Sequence, residues 1–408
     1  MRSARPMSDP TAMLDSAPGR TTATLTLAMA LTLAEARRSM EVCNACRYCE
    51  GFCAVFPAME LRRAFTDGDL TYLANLCHGC RGCFYACQYA PPHEFGINLP
   101  PVFAELRRET YVAYAWPSPL AALYRRNGTV VSIGTAVGIA VVLFLTAAWQ
   151  GVSSSTGLVA RQVGPGAFYR VIPEKAMVGV ALATTLWAVL ALVLGARHFW
   201  RDTGGIPVGS RGLGVRAFGA AVARAARDAL TLRNLGGGGH GCNDRDEAFS
   251  QARRRWHHAL FYGFLLCLAS TITAAIYQHV RNLVAPYPLL SLPVLLGTAG
   301  GVGMVAGCTG LLWLKIVGDP VPTARRLWGA EYALLVQLWL AAATGLLLLA
   351  LRETSAMGVL LAIHLGVIFA FFALLPYSTF VHGLYRSAAL LRNAYEQQSA
   401  SPSATGGH

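Results

Sequence analysis

Charge is scarce in this sequence, and lysine is nearly absent. Only 13% of the 408 residues are charged, and the 34 basic residues comprise 32 arginines and two lysines, Lys175 and Lys315. The net charge of +13 could suggest nucleic-acid binding, but most arginines lie beside apolar stretches. That pattern is typical of the cytoplasmic loops of a membrane protein rather than of a nucleic-acid-binding stripe. We therefore expect no nucleic-acid partner.

Nucleotide-binding motifs are also missing. No G-x-G-x-x-G motif follows a predicted strand, so nothing in the chain could hold a flavin or a nicotinamide. The glycine-rich segment Gly236–Gly241 has no preceding strand and no following helix with Lys-Ser/Thr, and we predict a flexible linker there. His240 and Cys242 in this region receive no assignment. Any hydride chemistry must therefore belong to a partner protein.

Hydrophobic residues, by contrast, make up 54% of the chain, so much of it must lie in lipid. Six apolar stretches have about 20 residues or more, the length that crosses about 30 Å of hydrocarbon. We predict transmembrane helices at Val130–Trp149, Ala176–Ala196, His258–Tyr277, Leu289–Leu314, Glu331–Leu351 and Met357–Tyr377.

Arginine placement predicts the orientation of these helices. The loop Arg197–Trp256 has eleven arginines, whereas Gln150–Lys175 on the opposite side has two arginines and one lysine. By the positive-inside rule, both termini are cytoplasmic. We expect a multi-pass protein of the bacterial inner (plasma) membrane, with a reducing compartment on the side of both termini.

Eight of the eleven cysteines form two runs, CNACRYCEGFC at Cys43–Cys53 and CHGCRGCFYAC at Cys77–Cys87. Each run is C-x2-C-x2-C-x3-C, and the second repeats the first 34 residues later. Three cysteines at this spacing bind one [4Fe–4S] cluster, and the fourth binds the other cluster. We predict cluster 1 on Cys43, Cys46, Cys49 and Cys87, and cluster 2 on Cys77, Cys80, Cys83 and Cys53.

A zinc site and a disulfide framework are two other interpretations of the cysteines. Zinc sites usually pair two C-x2-C units and would leave the third and fourth cysteine of each run without a role. Disulfides require an oxidising compartment, which the predicted topology denies. Proline does not directly follow Cys53 or Cys87, as it does in small bacterial ferredoxins; Pro57 and Pro91 each come four residues later.

The chain is predicted to be all-α: an α-helical two-[4Fe–4S] ferredoxin-like domain followed by a six-helix transmembrane bundle. The apolar segment Ala23–Leu33 could be the core of a signal peptide, but its helical pattern continues into the first cysteine run, and we predict a helix packed on the cluster domain. Thr66–Asp69 should separate two helical segments, with the cysteine runs at helix starts. The predicted parts are a disordered N-terminus (1–20), the cluster domain (21–119), a haem-binding membrane domain (120–390, with cytoplasmic loop 197–256) and a disordered tail (391–408).

Histidine inside a membrane span is costly and usually functional. His364 lies within the sixth span and His382 lies 18 residues later, on the same face and about 27 Å away if the helix continues past Pro376. The third span is bracketed by His258 and His279. Spans three and six run antiparallel by count, so His258 lies at the depth of His382, near the cytoplasmic side, and His279 lies at the depth of His364. Two bis-histidine b-type haems, an inner one on the first pair and an outer one on the second, would use all four as axial ligands, with His257 and His198 as alternates. Interface histidines that reach the headgroups, with one haem or none, are the other reading.

The segments CNACRYCEGFCAVFPAM, LANLCHGCRGCFYACQYAPPHEF and RRWHHALFYGFLLC together resemble the tricarballylate/citrate utilisation protein B family, and also the C-terminal half of the fused flavoprotein of aerobic cobalamin synthesis. Separately, AIHLGVIFAFFALLPYSTFVH resembles the last haem-binding helix of respiratory nitrate reductase gamma subunits, whose haem histidines match His364 and His382.

These resemblances imply an oxidoreductase subunit that reoxidises the FAD of a soluble partner dehydrogenase and passes electrons through the clusters and haem to quinone. Arg62–Arg63 and Arg107–Arg108 could meet an acidic surface of that partner. The other class left open is a redox-sensing or transport protein with regulatory clusters. Against transport, no span has paired Gly/Pro interruptions and none has an acidic residue deep inside.

Overall fold

The computed structural model describes residues 21–153, 158–205 and 215–400. Within these ranges the secondary structure is helical, and the only β-type pairing is an isolated antiparallel bridge between Cys242 and Ser250. The all-α prediction is therefore confirmed. The predicted disordered N-terminus, residues 1–20, and the last residues, 401–408, lie outside the described ranges.

The described residues form fifteen α-helices. In chain order they are α1 (Thr21–Cys46), α2 (Val55–Glu60), α3 (Asp67–Leu76), α4 (Gly82–Tyr85), α5 (Leu99–Tyr114), α6 (Ala121–Arg125), α7 (Asn127–Ser153), α8 (Ala167–Val171), α9 (Glu174–Asp202), α10 (Val215–Leu230), α11 (Ala252–His279), α12 (Leu292–Val317), α13 (Trp328–Leu351), α14 (Met357–Leu374) and α15 (His382–Ala400). Short 3-10 turns lie at Ser118–Leu120, Arg233–Gly239, Arg325–Leu327, Leu375–Tyr377 and Thr379–Val381.

Six of these helices are long and apolar enough to cross a membrane, as the sequence predicts. They are α7, α9, α11, α12, α13 and α14, with 3-10 turns extending the last two. The arrangement is consistent with a multi-pass membrane protein.

Glycines bring α11 and α12 into close contact. A Cβ at Gly307 would lie 2.4 Å from the backbone nitrogen of Leu260, and one at Gly310 would lie 2.2 Å from the indole of Trp256. No side chain fits at such distances, so the two backbones approach only because these positions are glycine. Small residues at helix interfaces serve the same purpose in membrane proteins generally, since dispersion contacts between helices are their main attraction in lipid.

The sixth span does not continue as one helix into His382. α14 ends at Leu374, two 3-10 turns follow around Pro376, and α15 begins at His382. The assumption of a continuous helix, with His364 and His382 on one face, is therefore wrong. Proline lacks the backbone N–H that the helix ladder needs, and its ring clashes with the preceding turn.

The core of the cluster domain draws on distant parts of the chain. Residues of α1, α3 and α5 such as Met40, Tyr72 and Phe103 are fully buried in one apolar cluster. α10 contributes Ala221 and Ala225, and α15 contributes Ala389, Leu390, Ala394 and Tyr395 to the same cluster. The predicted disorder of residues 391–408 is therefore wrong for 391–400, because this segment is an amphipathic helix whose apolar side is buried.

A charged network fixes α15 to the cluster domain. Arg62 bonds to Asp69 and Glu396, each at 2.7 Å, and Arg392 bonds to Glu396 at 2.8 Å and to Asp69 at 3.3 Å. Both guanidinium groups also lie over the ring of Tyr72, at 4.9 and 4.3 Å from its centroid. Since all four charges are almost buried, their pairing is necessary for them to be tolerated there.

Thr66 is the N-cap of α3, so the predicted break at Thr66–Asp69 is confirmed at Thr66, whereas Asp67–Asp69 lie inside the helix. The Thr66 hydroxyl accepts a hydrogen bond from the backbone N–H of Asp69, and the Asp69 carboxylate accepts one from the backbone N–H of Thr66. This reciprocal capping fixes the first turn of the helix that leads directly to Cys77.

Candidate functional site

Each cysteine run begins where a helix ends, and the next helix starts within the run or just after it. The predicted placement at helix starts is therefore wrong for Cys43, Cys46 and Cys77 but right for Cys83, which lies in α4. Cys43 and Cys46 occupy the last turn of α1, where a spacing of three places them on one face. Cys77 follows the last residue of α3. In both runs the residue after the second cysteine, Arg47 and Arg81, has a positive φ of 56° and 68°. The sequence repeat is thus accompanied by the same backbone conformation at this one position.

The structure brings Cys87 of the second run to the first three cysteines of the first run. One pocket is lined by Cys43, Cys46, Cys49 and Cys87, together with Cys83. Burial, together with the charges of Cys87, Cys49 and Cys46, raises the pKa of Cys43 to about 12. This is the set predicted for cluster 1, including the residue that crosses over.

The remaining four cysteines form a second group. Burial raises the pKa of Cys83 well above its usual value, followed by the charges of Cys80, Cys53 and Cys77. The pKa of Cys53 is likewise raised by burial and then by the charges of Cys80 and Cys77. Cys53 thus lies with the second run, the reciprocal of the placement of Cys87.

Both groups have the chemistry of an iron–sulfur site. Thiols bind a metal as thiolates, so the binding of a cluster would release protons. Among the described residues no group of three or more His, Cys, Asp or Glu side chains is arranged to hold a single metal ion. A cubane cluster binds its four thiolates at separate iron atoms, so its ligands stand farther apart than those of one ion.

The two groups differ in exposure. In the second group Cys77 and Cys80 are buried, whereas none of the four cysteines of the first group is. Beside the first group, Tyr48 is 68% exposed, and the exposed amide of Gln88 lies 3.8 Å from the sulfur of Cys46. The first group therefore lies nearer the surface of the protein.

The glycine-rich segment packs on the second group. A Cβ at Gly237 would lie 3.8 Å from the sulfur of Cys80, and the backbone N–H of Asn243 donates to the carbonyl of Cys80 at 2.9 Å. Gly241 has a φ of 130°, and a Cβ there would lie 2.6 Å from the carbonyl oxygen of Ser250. The predicted flexible linker is therefore wrong: these glycines allow a tight covering loop. Cys242 is buried inside it and donates to the carbonyl of Leu235.

Two of the arginines predicted to meet a partner face inward instead. Arg62 forms ion pairs with Asp69 and Glu396 beside Tyr72. Arg107 donates to the carbonyls of Ala74 and Cys77 at 2.7 and 3.1 Å. Their hydrogen bonds hold the fold around the second cysteine run, so they cannot serve as a docking surface.

The structure pairs His382 with His257, the alternate ligand, and not with His258. The ring centroids of His257 and His382 are 6.4 Å apart and their planes are 82° apart. His258 points the other way, with Nε2 3.0 Å from the carbonyl oxygen of Thr231. His257 lies in the second turn of α11 and His382 is the first residue of α15, so two separate helices form the pair.

This pair fits two axial ligands of one metal ion. With about 2 Å for each metal–nitrogen bond and about 1.2 Å from nitrogen to ring centre, imidazoles on opposite sides of an ion have centroids about 6.4 Å apart. Nδ1 of His382 lies 2.6 Å from the carbonyl of Thr379, which leaves Nε2 for a ligand. Nδ1 of His257 is buried with no hydrogen-bond partner. Both observations fit the residues of a bis-histidine haem site.

The other predicted histidines are not brought together in this way. His364 lies against α13, with Nδ1 3.0 Å from the Thr344 hydroxyl. Its ring packs so close to Gly345 that a Cβ there would lie 3.0 Å from the ring. His279 is 54% exposed and lies 3.9 Å from Glu174. His198, on α9, is part-buried. No contact in the described residues joins His364 to His279, and this outer pair stays a prediction.

Sequence reasoning missed two residues near the inner pair. Arg253 lies one turn before His257 on α11, and Arg386 lies one turn after His382 on α15. A spacing of four on a helix, which places two side chains on one face, was the available signal. That spacing identifies the two arginines only once the partner of His382 is known.

Comparisons with known proteins agree with this organisation. Residues 128–403 match the family described as "Citrate utilization protein B", and residues 36–113 match the "Citrate utilization protein B Fer4-like domain". The chain is 45% identical over 366 residues to a protein of Escherichia coli named "Citrate utilization protein B", covering 90% of this chain and 93% of that protein. No solved structure matches the chain. With both parts of the sequence matched, this chain belongs to the citrate utilization protein B family.

Proposed function

We propose that this protein carries electrons from the reduced FAD of a partner dehydrogenase to the quinone pool, in the utilisation of citrate or tricarballylate. One observation carries the proposal: two four-cysteine groups and a histidine pair lie together at one end of an apolar helical bundle. The family match supports a part in citrate utilisation, and the Fer4-like match supports the clusters.

Cys43, Cys46, Cys49 and Cys87 would hold one [4Fe–4S] cluster, and Cys77, Cys80, Cys83 and Cys53 the other. His257 and His382 would hold a b-type haem, and His364 with His279 remain the candidate ligands of a second, outer haem. When bound, these groups supply redox centres that accept one electron at a time, as a relay from a two-electron flavin requires.

The different burial of the two cysteine groups supports one direction of electron transfer in this proposal. The first group lies near the surface beside Tyr48, so a partner can approach it closely. The second group is covered by the loop 233–250 and connects to the histidine pair through Arg253, whose guanidinium donates to the carbonyl of Gly79 at 2.6 Å. Electrons would therefore enter at cluster 1 and leave from cluster 2 toward the membrane.

Docking of the dehydrogenase follows from the same geometry. The exposed Tyr48 and Gln88 line the pocket of the surface group of cysteines, and the exposed ring of Phe95 packs on Tyr89 of the same pocket at 5.4 Å between ring centroids. Aromatic side chains of this kind contribute most of the binding energy in protein interfaces. We place the partner on this face, with the cluster domain and both termini in the cytoplasm and the bundle in the bacterial plasma membrane.

The test mixes the reduced flavoprotein, this protein in membranes and a quinone analogue. We expect the reduced b-type α band to appear on mixing and to disappear when the quinone analogue is added. Cys80→Ser should abolish its appearance with the flavoprotein but not with dithionite, because dithionite does not depend on the clusters.

Tyr48→Ala provides a milder variant for the docking step. It should raise the flavoprotein concentration needed for half-maximal rate by about tenfold, the effect of losing one interface aromatic worth about 1.4 kcal/mol. Equal rates of haem reduction in Cys80→Ser and wild type would show that the clusters are off the route, and the proposal would fail.

A further inference from the structure

Three arginines lie between the second cysteine group and the histidine pair. Arg253 precedes His257 by one turn on α11, and Arg386 follows His382 by one turn on α15. Arg107 of α5 completes the set, which we name the arginine cluster. On both helices the arginine lies on the side of its histidine away from the apolar span, about 6 Å along the axis.

Backbone carbonyls occupy only part of the donors of this cluster. Arg107 donates to the carbonyls of Ala74 and Cys77, and Arg253 donates to that of Gly79. These bonds tie both arginines to the second cysteine run. The Nε atom of Arg386 is buried and has no hydrogen-bond partner among the described residues. Arg386 is therefore the member whose donors most need an acceptor.

No carboxylate pairs with the arginine cluster. None of the ion pairs among the described residues includes Arg107, Arg253 or Arg386. Glu331, whose charge reaches two of these arginines, is instead paired with Lys315. Burial, followed by the charge of Arg107, lowers the pKa of Arg386 to about 10. The charges of Asp244 and Glu331 act on Arg253, but neither carboxylate forms an ion pair with the arginine cluster. Buried cations without a paired anion are costly, so this arrangement favours the binding of a further anion.

We propose that the arginine cluster binds the propionate carboxylates of the haem held by His257 and His382, with Arg386 as the principal contact. This inference rests on the proposed haem site. A guanidinium group offers a planar fork that matches a carboxylate in two hydrogen bonds, which lysine cannot reproduce. Because each arginine shares a helix face with one ligand histidine, the same two helices that hold the iron would also fix the edge of the ring that bears the carboxylates.

The cluster would also adjust the reduction potential. Positive charge near a haem favours the reduced, less positive iron, so these arginines should raise its midpoint potential. The same charges lie near Cys77, so they would stabilise the added electron on either side of the transfer from cluster to haem. The arginines would therefore raise the midpoint potential through their charge alone, without contact with the histidine ligands of the iron.

Resonance Raman spectroscopy and a redox titration of the purified, haem-containing protein test the proposal. Arg386→Gln should keep the axial-ligand marker bands, shift the propionate bending band and lower the midpoint potential. Arg254→Gln is the matched control. Arg254 lies beside Arg253 in the first turn of α11, but its guanidinium donates to the carbonyl of Thr231 and so lies outside the arginine cluster. That variant should leave the propionate band unchanged.

Wild-type bands and potential in Arg386→Gln would overturn the proposal. If that variant does not accumulate, Arg386→Lys, which keeps the charge, carries the test: a shifted propionate band supports the contact and an unchanged band refutes it. Absence of haem from the wild-type protein is a separate result, because it would refute the haem site of the proposed function before the arginines are examined.

Discussion

The ring of His382 faces His257 at a centroid distance of 6.4 Å, while the adjacent His258 turns to the carbonyl of Thr231. Two consecutive histidines on α11 thus have different surroundings, one against α15 and one at the end of α10. Only the first can share an ion with His382. The difference provides a matched pair of variants on a single helix turn.

His257→Ala should therefore abolish the inner haem, whereas His258→Ala should retain it. The absorbance of the reduced α band per mole of protein measures this, with His382→Ala as the second expected loss. Retention of the full band in His257→Ala together with its loss in His258→Ala would reverse the assignment. His364→Ala tests the outer haem separately, and an unchanged reduced spectrum there would leave a single haem.

Crossed ligation of the clusters can be tested with the fourth cysteine of each run. Wild-type protein purified without oxygen should contain about eight non-haem irons, the sum of two cubanes. Cys87→Ser should remove the cluster of Cys43, Cys46 and Cys49, and Cys53→Ser the other, each leaving about four irons. Paramagnetic resonance of the reduced protein identifies which cluster remains.

Ligation within each run would give the opposite pattern, with Cys53→Ser removing the surface cluster. Stoichiometric zinc without acid-labile sulfide would contradict iron–sulfur ligation altogether. Cys242→Ser serves as a control for thiol loss, since Cys242 lies outside both runs and donates to Leu235; its iron content should stay at the wild-type value.

Local patterns in the sequence predicted most of the architecture. The six spans follow from hydropathy and length, the break before α3 follows from the segment that begins at Thr66, and the position of Cys87 beside the first run follows from the repeated cysteine spacing. Each depends on neighbours within a few residues or on a motif whose chemistry is known. Such signals need no knowledge of tertiary packing.

Long-range packing accounts for what the sequence did not predict. The choice of His257 over His258 depends on where α15 meets α11, and spacing along one helix cannot decide it. The segment Gly236–Gly241 has the composition of a linker, but its tight turns are set by contact with Cys80 and Ser250. Arginine is usually exposed at the surface, and the burial of Arg62 depends on its ion pair with Glu396, 334 positions later.

The network around Tyr72 should contribute stability that depends on pH. Burial alone would raise the pKa of Asp69, but hydrogen bonds from Thr66 and Arg62 and the charge of Arg62 lower it below its usual value. A lowered folded-state pKa means that the charged form stabilises the fold above the unfolded-state pKa. That contribution is lost as the pH falls through the folded-state pKa.

Asp69→Asn should therefore lower the free energy of unfolding by about 3 kcal/mol at neutral pH, since it leaves Arg392 and Arg62 under-compensated in a mostly buried site. Asp67→Asn is the control on the same helix: its carboxylate is 68% exposed and pairs with Arg37, so about 1 kcal/mol or less is expected. Chemical unfolding in detergent at pH 7 and pH 4 measures both. Equal losses in the two variants at pH 7 would refute the network.

Close packing of α11 on α12 can be tested with one methyl group. Gly307→Ala would place a Cβ 2.4 Å from the Leu260 backbone, so the helices must move apart, at a cost of about 1–3 kcal/mol. Gly179→Ala, on the membrane helix α9, meets no atom within 4 Å and should be neutral or slightly stabilising. Thermal loss of helical circular dichroism in detergent measures the difference, and equal melting temperatures would contradict this packing.

The burial of Ala389, Leu390 and Tyr395 in the cluster domain affects how the protein is made. The cysteine runs leave the ribosome first, but the helix that completes their core is the last one synthesised. In the proposed topology, iron–sulfur assembly on a finished scaffold would follow the entry of six spans into the membrane and the return of α15 to the side of the cluster domain. Membrane insertion would then precede maturation of the domain that was translated first.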